Sequence, residues 1–294
     1  MSFKETARET AFDAISSKSS ALKKGYFKDD MMHLVSKPHP QSKDPMINRG
    51  TWFRIELFQQ FCTKFLEIPN SQILVLGAGL DTLFYRLNVT NLFYEVDLPE
   101  ICQTKAHKLG FTKQNDETYV IPNHPNYKLV SADLEDDFLG KLGIDQALPT
   151  LVISDVVLSY LESDSTVELV EKLGNYFSDL TLLFFEMINP HDAFGDTMIY
   201  NMSLRNVFMP TFAEIGYLEN YQRQMKNIGC QTFKQNAWTC YNKWPGRSEI
   251  EKLEWLDEYE QFQLIMEHYG VMAGSNKSGI NVLTTIFEGI GQIQ

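Results

Sequence analysis

The sequence predicts an α/β protein built on a doubly wound, mostly parallel sheet, and three observations carry that prediction. An apolar run, 73–76, ends on Gly77-Ala78-Gly79 and is followed by a segment of helical pattern. A second apolar run closes on Asp97. Later apolar runs alternate with helical patterns and carry acids just past their ends, Asp133, Asp155 and Glu186. Strands joined through helices lie parallel and collect ligand-binding groups at their carboxyl ends. Glycines there let a ligand approach the backbone, and a carboxylate at the next strand end can accept hydrogen bonds from both hydroxyls of a ribose. Each residue alone is more often turn chemistry. Their regular recurrence along one sheet edge singles out the set.

Taken in order, the first forty residues read as one or two short helices with Phe12 and Ile15 on one face, closed by an extended connector at Pro38, Pro40 and Pro45, since proline and its preceding residue resist helix. From Thr51, a candidate N-cap, Phe58, Phe61, Cys62, Phe65 and Leu66 recur at helical spacing. The same stripe puts Arg54 on the inward face, where a guanidinium must find a partner. Either it snorkels to water, or, with Arg49 nearby, it points at an anionic ligand group beside the sheet.

Beyond Asp97-Leu98-Pro99, a helix over 100–109 ends at Gly110, and a polar loop leads to a third strand over 127–131. A fourth strand covers 150–154. Ser165 and Glu168 fit a capping box opening a helix that runs to Phe177, and a fifth strand covers 180–186. From 189 to 247 the alternation gives way to Met- and aromatic-rich helical pieces, 194–209 and 212–225, which suit core packing or a lid over the ligand edge. An amphipathic helix over 250–269 stops at Gly270, and the runs 271–273 and 282–287 suit a closing antiparallel pair. The expected organisation is one domain, 1–294: a helical cap (1–48), a cofactor-binding core (49–188), a lid insertion (189–247) and a closing helix with antiparallel strands (248–294).

Composition narrows the function. With 26 basic and 38 acidic side chains the net charge is -12, which disfavours a nucleic-acid partner, because phosphate binding rests on clustered Lys and Arg. Four cysteines without CxxC spacing and six histidines without a paired motif predict a metal-free protein. The charged N-terminus lacks a secretory apolar segment, and the longest apolar strip, about 180–185, falls far short of the roughly 20 residues that span a bilayer. The expectation is a cytoplasmic protein that neither crosses nor binds a membrane.

A dinucleotide site wants a third glycine where Thr82 stands in Gly77-Ala78-Gly79-Leu80-Asp81-Thr82. That weakens a nicotinamide reading without excluding it. Two glycines after the first strand, an acid ending the second and an acid after the third suit S-adenosylmethionine equally well, and a closing antiparallel pair fits that cofactor's usual fold better.

Several runs carry a more specific likeness: Ile47-Asn48-Arg49-Gly50 with Phe53-Arg54, Leu76 to Gly79 with Asp81-Thr82 and Arg86-Leu87, Glu95-Val96-Asp97 with Pro99, Ala132-Asp133-Leu134, Leu148-Pro149-Thr150-Leu151, Val157-Leu158 with Tyr160, and Phe194-Gly195 with Met198-Ile199. Together with 254–269 they make the chain resemble, over nearly its whole length, the leucine carboxyl methyltransferases that act on the protein phosphatase 2A catalytic subunit. The resemblance implies a class I S-adenosylmethionine-dependent methyltransferase fold. It also implies an enzyme that esterifies the phosphatase's C-terminal leucine carboxylate and releases S-adenosylhomocysteine; a monomer is expected. The family's cofactor contacts carry over to Lys18, Arg54, Gly77, Asp97, Asp133, Leu134 and Asp155, with Gly79 beside them. Lys18 aligns through the following Gly25-Tyr26, and at Asp155 the family commonly has Glu. The chemistry itself suggests the catalytic candidates: Arg54, with Lys18, gripping the cofactor's own carboxylate, because a cation on the reacting carboxylate would favour the ground state, and Tyr160, whose hydroxyl would orient the substrate carboxylate or else serve as a satisfied core aromatic. The alternatives are an O-methyltransferase of the same fold acting on a small-molecule carboxylate or hydroxyl, and a non-catalytic binder of cofactor or phosphatase.

Overall fold

The computed structural model describes residues 3–37 and 41–294. Among them nine strands form one sheet: β1 Gln72–Leu76, β2 Leu92–Asp97, β3 Thr112–Lys113, β4 Thr118–Ile121, β5 His124–Ser131, β6 Thr150–Asp155, β7 Leu180–Met187, β8 Gln231–Asn236 and β9 Tyr269–Ser275. The order is β3-β4-β5-β2-β1-β6-β7-β9-β8. Strands β5, β2, β1, β6 and β7 pair in parallel, and β9 joins β7 and β8 antiparallel. This is the class I methyltransferase arrangement that the sequence implied.

The parallel centre is apolar because both of its faces are covered. All five residues of β1 and all eight of β7 are buried. Period-two alternation divides them between two layers: Ile73 and Val75 enter a core with the helix Pro45–Phe65, while Leu74 and Leu76 enter another with the helix Ser163–Tyr176. Strand order reverses between β1 and β6, the switch point at which a crevice opens in such sheets.

Several elements differ from the sequence expectation, each for a local reason. The helix expected to start at Thr51 begins at Pro45, because proline with its fixed φ and missing N–H suits a first helical position. Pro45 therefore opens a helix where the sequence suggested a connector; Pro38 and Pro40 lie outside the described residues. Likewise Ser165 lies inside the helix Ser163–Tyr176, whose N-cap is Glu162. The polar loop after Gly110 contains the strand β3 and, with β4 and β5, an antiparallel extension of the sheet.

The closing pair is β9 with β8, whereas 282–287 falls in the helix Ile280–Ile286 and its cap, packed against the core. Strand β8 thus places sheet inside the 189–247 segment. The helix expected over 250–269 is shorter, Tyr259–Glu267, and Tyr269 already belongs to β9.

Candidate functional site

At the carboxyl ends of β1, β2 and β6 a cavity of about 460 Å³ opens between the sheet, the N-terminal helix Phe3–Lys23 and the helix Ala193–Ser203. That size lies within the usual range for a small-molecule site. The structure brings the expected cofactor contacts and catalytic candidates to its walls, Lys18, Arg54, Gly77, Gly79, Asp97, Asp133, Leu134, Asp155 and Tyr160, but not Arg49 or Glu186.

The chain turns sharply after β1. Gly77 and Gly79 have φ of 56° and 55°, a left-handed backbone that side chains resist. A Cβ on Gly77 would also come within 2.6 Å of Val157 Cγ2, so only glycine lets this loop lie against the turn after β6. Asp97, closing β2, faces the same loop: its Oδ2 accepts from Gly79 N at 2.6 Å and its Oδ1 from Leu98 N at 2.7 Å. Each carboxylate oxygen keeps a further lone pair for a ligand hydroxyl. Burial pushes the Asp97 carboxyl up to about 6, against the pull of those two amides.

Along the cavity wall the charges alternate in a chain, Arg86, Asp81, Lys18, Asp155, Arg54, anchored at one end by Asp29 buried behind Arg86. Arg86 lies 2.8 Å from Asp29 and 3.0 Å from Asp81. Lys18 pairs closely with Asp81 and reaches Asp155 at 3.5 Å, and Arg54 Nε donates to Asp155 Oδ1. Burial alone would raise the Asp81 carboxyl, but Arg86 and Lys18 hold it well below the usual range. Burial also works against the charge on Arg54, and the adjacent Asp155 more than offsets it. Arg54 lies over the Phe185 ring as well, 5.7 Å from its centroid.

The sequence did not single out Asp29, Asp81 or Arg86 as site charges; the signal available was the acid two residues past Gly79 and the arginine five further on. Arg49, expected beside Arg54, faces elsewhere and donates to the carbonyls of Glu251 and Glu254 at 3.1 and 2.8 Å. Five residues along a helix is well over a third of a turn out of phase, so the two guanidinia diverge. Glu186, expected on the ligand edge, is fully buried and bonded beneath it.

The opposite half of the cavity is apolar. Met187, Met198, Met202, Val207 and Phe208 line it, with Tyr160 and Tyr269 between the two halves. Burial raises both tyrosine hydroxyls above their ordinary value, which leaves them neutral donors at physiological pH. The helix Ala193–Ser203 is fixed at its start by Asp192, which accepts from Phe194 N and Gly195 N at 3.0 and 2.8 Å and from the buried His268 Nε2 at 2.9 Å. His268 Nδ1 faces the Leu264 carbonyl at 2.8 Å.

The arrangement can hold a nucleoside by its diol at Asp97 and an amino-acid carboxylate at Lys18 and Arg54, with an apolar chamber alongside. Among the described residues no cluster of His, Cys, Asp and Glu could hold a metal, and no helix is long and apolar enough to cross a membrane.

Comparison with known proteins gives this geometry a context. A family model for leucine carboxyl methyltransferase matches residues 7–174. The chain is 35% identical to the leucine carboxyl methyltransferase 1 homolog of Arabidopsis thaliana, over 90% of this chain and 87% of that one. It is 29% identical to leucine carboxyl methyltransferase 1 of Bos taurus, over 95% and 93%. Among solved structures, a Thermobifida fusca YX protein provisionally described as a methyltransferase superposes with a TM-score of 0.54 at 16% identity, covering 79% of this chain and 82% of its own. At that identity it speaks for the fold alone.

Proposed function

This chain belongs to the leucine carboxyl methyltransferase family, and we propose that it transfers a methyl group from S-adenosylmethionine to the α-carboxylate of the C-terminal leucine of the protein phosphatase 2A catalytic subunit. The observation that carries the reading is the two-sided cavity: a diol acceptor and paired cations on the sheet side, an apolar chamber on the other, in one continuous space.

When bound, S-adenosylmethionine supplies an electrophilic methyl on a sulfonium. Asp97 would accept from its ribose hydroxyls, Asp133 and Leu134 would contact its adenine, and Lys18 with Arg54 would pair with its carboxylate. No general base is required of the protein, since a C-terminal carboxylate, with a pKa of roughly 3.3–3.7, is already an anion at neutral pH. The remaining task is alignment for in-line displacement, a proximity effect.

An anion and a cation become a neutral ester and thioether, so a water-poor chamber favours the transition state. Met187, Met198, Met202 and Val207 supply that environment. A guanidinium clamped on the reacting carboxylate would stabilise the ground state more than a transition state in which that charge is vanishing. Arg54 is therefore assigned to the cofactor's carboxylate, and the neutral Tyr160 hydroxyl to orienting the substrate's.

The test is methyl transfer to purified phosphatase catalytic subunit. Alkali-labile methyl incorporation that disappears when the terminal leucine is deleted supports the reading. Incorporation that survives the deletion, or none at all, refutes it.

A further inference from the structure

Glu186 is 0% exposed at the end of β7, beneath the turn that follows β6. Its Oε1 accepts from Val157 N at 3.0 Å, Leu158 N at 3.1 Å and Ser154 Oγ at 2.7 Å. Its Oε2 accepts from Ser159 N at 3.2 Å and Ser159 Oγ at 2.8 Å. Three consecutive main-chain amides and two hydroxyls thus converge on one carboxylate that the cavity does not reach. A buried acid with this many donors is a structural hub, and it has no path to a substrate.

The turn it gathers is strained. Val156 has a φ of 55°. Among the described non-glycine residues with positive φ the other five are all asparagine, which tolerates that region, whereas a β-branched side chain does not. Such an outlier persists only where its surroundings over-determine it, and it tends to mark a functional segment. Here Asp155, Val156, Val157 and Tyr160 all line the cavity, and Val157 is the side chain packed against Gly77. One short turn therefore sets the place of the tyrosine hydroxyl and braces the glycine loop.

We propose that Glu186 is a positioning residue for methyl transfer: its carboxylate holds the 156–160 turn in its strained form, and through that turn it sets Tyr160 and the Gly77 loop. The inference rests on the methyltransferase reading above. Glutamine at 186 keeps the shape but points an amide NH2 at groups that are themselves donors, so at least one of the three amides loses its acceptor. Glycine at 156 adopts the left-handed backbone freely and removes the strain that Glu186 opposes.

The experiment compares Glu186→Gln with Glu186→Gln/Val156→Gly. S-adenosylhomocysteine affinity is read by calorimetry, and kcat is read at saturating cofactor with the phosphatase subunit. The single variant is expected to bind S-adenosylhomocysteine about tenfold more weakly and to lose about 100-fold in kcat, the scale of a misplaced reacting group. Adding Val156→Gly is expected to recover about tenfold of that loss. Should Glu186→Gln fail to fold, Ser159→Ala removes one of the five donors and is expected to lower kcat about threefold, again partly reversed by Val156→Gly.

A fall in thermal midpoint with affinity and kcat of the folded protein unchanged overturns the proposal, as does a double variant no better than the single. Wild-type protein that binds S-adenosylhomocysteine but methylates no phosphatase sinks the substrate reading instead, and the affinity comparison still decides whether Glu186 braces the Gly77 loop.

Discussion

On the sheet side of the cavity Lys18, Arg54, Asp81, Arg86 and Asp155 are locked into alternating ion pairs, whereas on the opposite side the walls are thioether, aliphatic and aromatic, and partly open to water. The charged half is organised before any ligand arrives: each group has a partner fixed by a different element, and a displaced member leaves another charge unpaired. The apolar half is adaptable. Met198 and Met202 are half-buried, and Phe208, 62% exposed, stands at the rim. Methionine reshapes at little cost and so suits a chamber that must admit and release a side chain. Under the proposed function the contrast assigns rigidity to the cofactor side and compliance to the peptide side, and it predicts unequal damage from equal-sized cuts.

The largest effect is expected at Arg54. Removing one partner of a buried pair costs about 3–5 kcal/mol, and since solvent reaches 23% of the Arg54 side chain and 18% of the Asp155 side chain, Arg54→Met should lower stability by about 2–3 kcal/mol. It should also abolish measurable cofactor binding, as checked by denaturant unfolding and calorimetry. A stable, cofactor-binding Arg54→Met protein would erase the contrast between the two halves.

Next comes Asp97. Asp97→Ala is expected to weaken S-adenosylhomocysteine about 100-fold, the worth of two charge-assisted hydrogen bonds. The pH dependence follows from a carboxyl at about 6: affinity holds above that value and falls, approaching about tenfold per unit, below it. For the ligand-free protein the sign is opposite. A folded-state value above the unfolded one, about 3.9, means this group's contribution to stability is fully present below about 4 and is lost as pH rises toward about 6. Calorimetry across pH 5–8, with a flat profile expected for the alanine variant, checks it.

Tyr160→Phe should lower kcat/KM for the phosphatase by about tenfold, the worth of one neutral hydrogen bond to a carboxylate, while leaving cofactor affinity unchanged. Full retention of kcat/KM would end the orienting role. The smallest effect belongs to the apolar wall: Met202→Ala should raise KM for the phosphatase about threefold with cofactor affinity unmoved, because a half-exposed thioether contributes little burial. A large kcat loss there would mean that the chamber is less compliant than its composition implies.

The two halves also differed in how legible they were. The glycine turn, Asp97 and the strand-end acids could be read because each is set by its own neighbours: an apolar run, a turn residue, an acid. Arg54 was placed inward by helical spacing alone, although its partner, 101 residues away, could not be seen. Ion pairs such as Asp29–Arg86 and Lys18–Asp81 are products of tertiary packing, and nothing local announces them.

The C-terminal third misled for a related reason. Strand β8, QTFKQN, is an edge strand that buries little beyond Thr232 and Phe233, so it shows no apolar alternation. The run 282–287 has strand-like β-branched residues yet folds as helix against the core, where tertiary contacts override propensity. Glu186 looked like the other strand-end acids, and only the amides above it reveal that it serves the turn instead.

The most direct measurement is the mass of the C-terminal peptide of the phosphatase catalytic subunit after incubation with this protein and S-adenosylmethionine. A gain of one methylene, located by fragmentation on the terminal carboxyl and absent with Asp97→Ala, is the predicted result. An unchanged mass, or a methyl group on a side chain, would contradict the account.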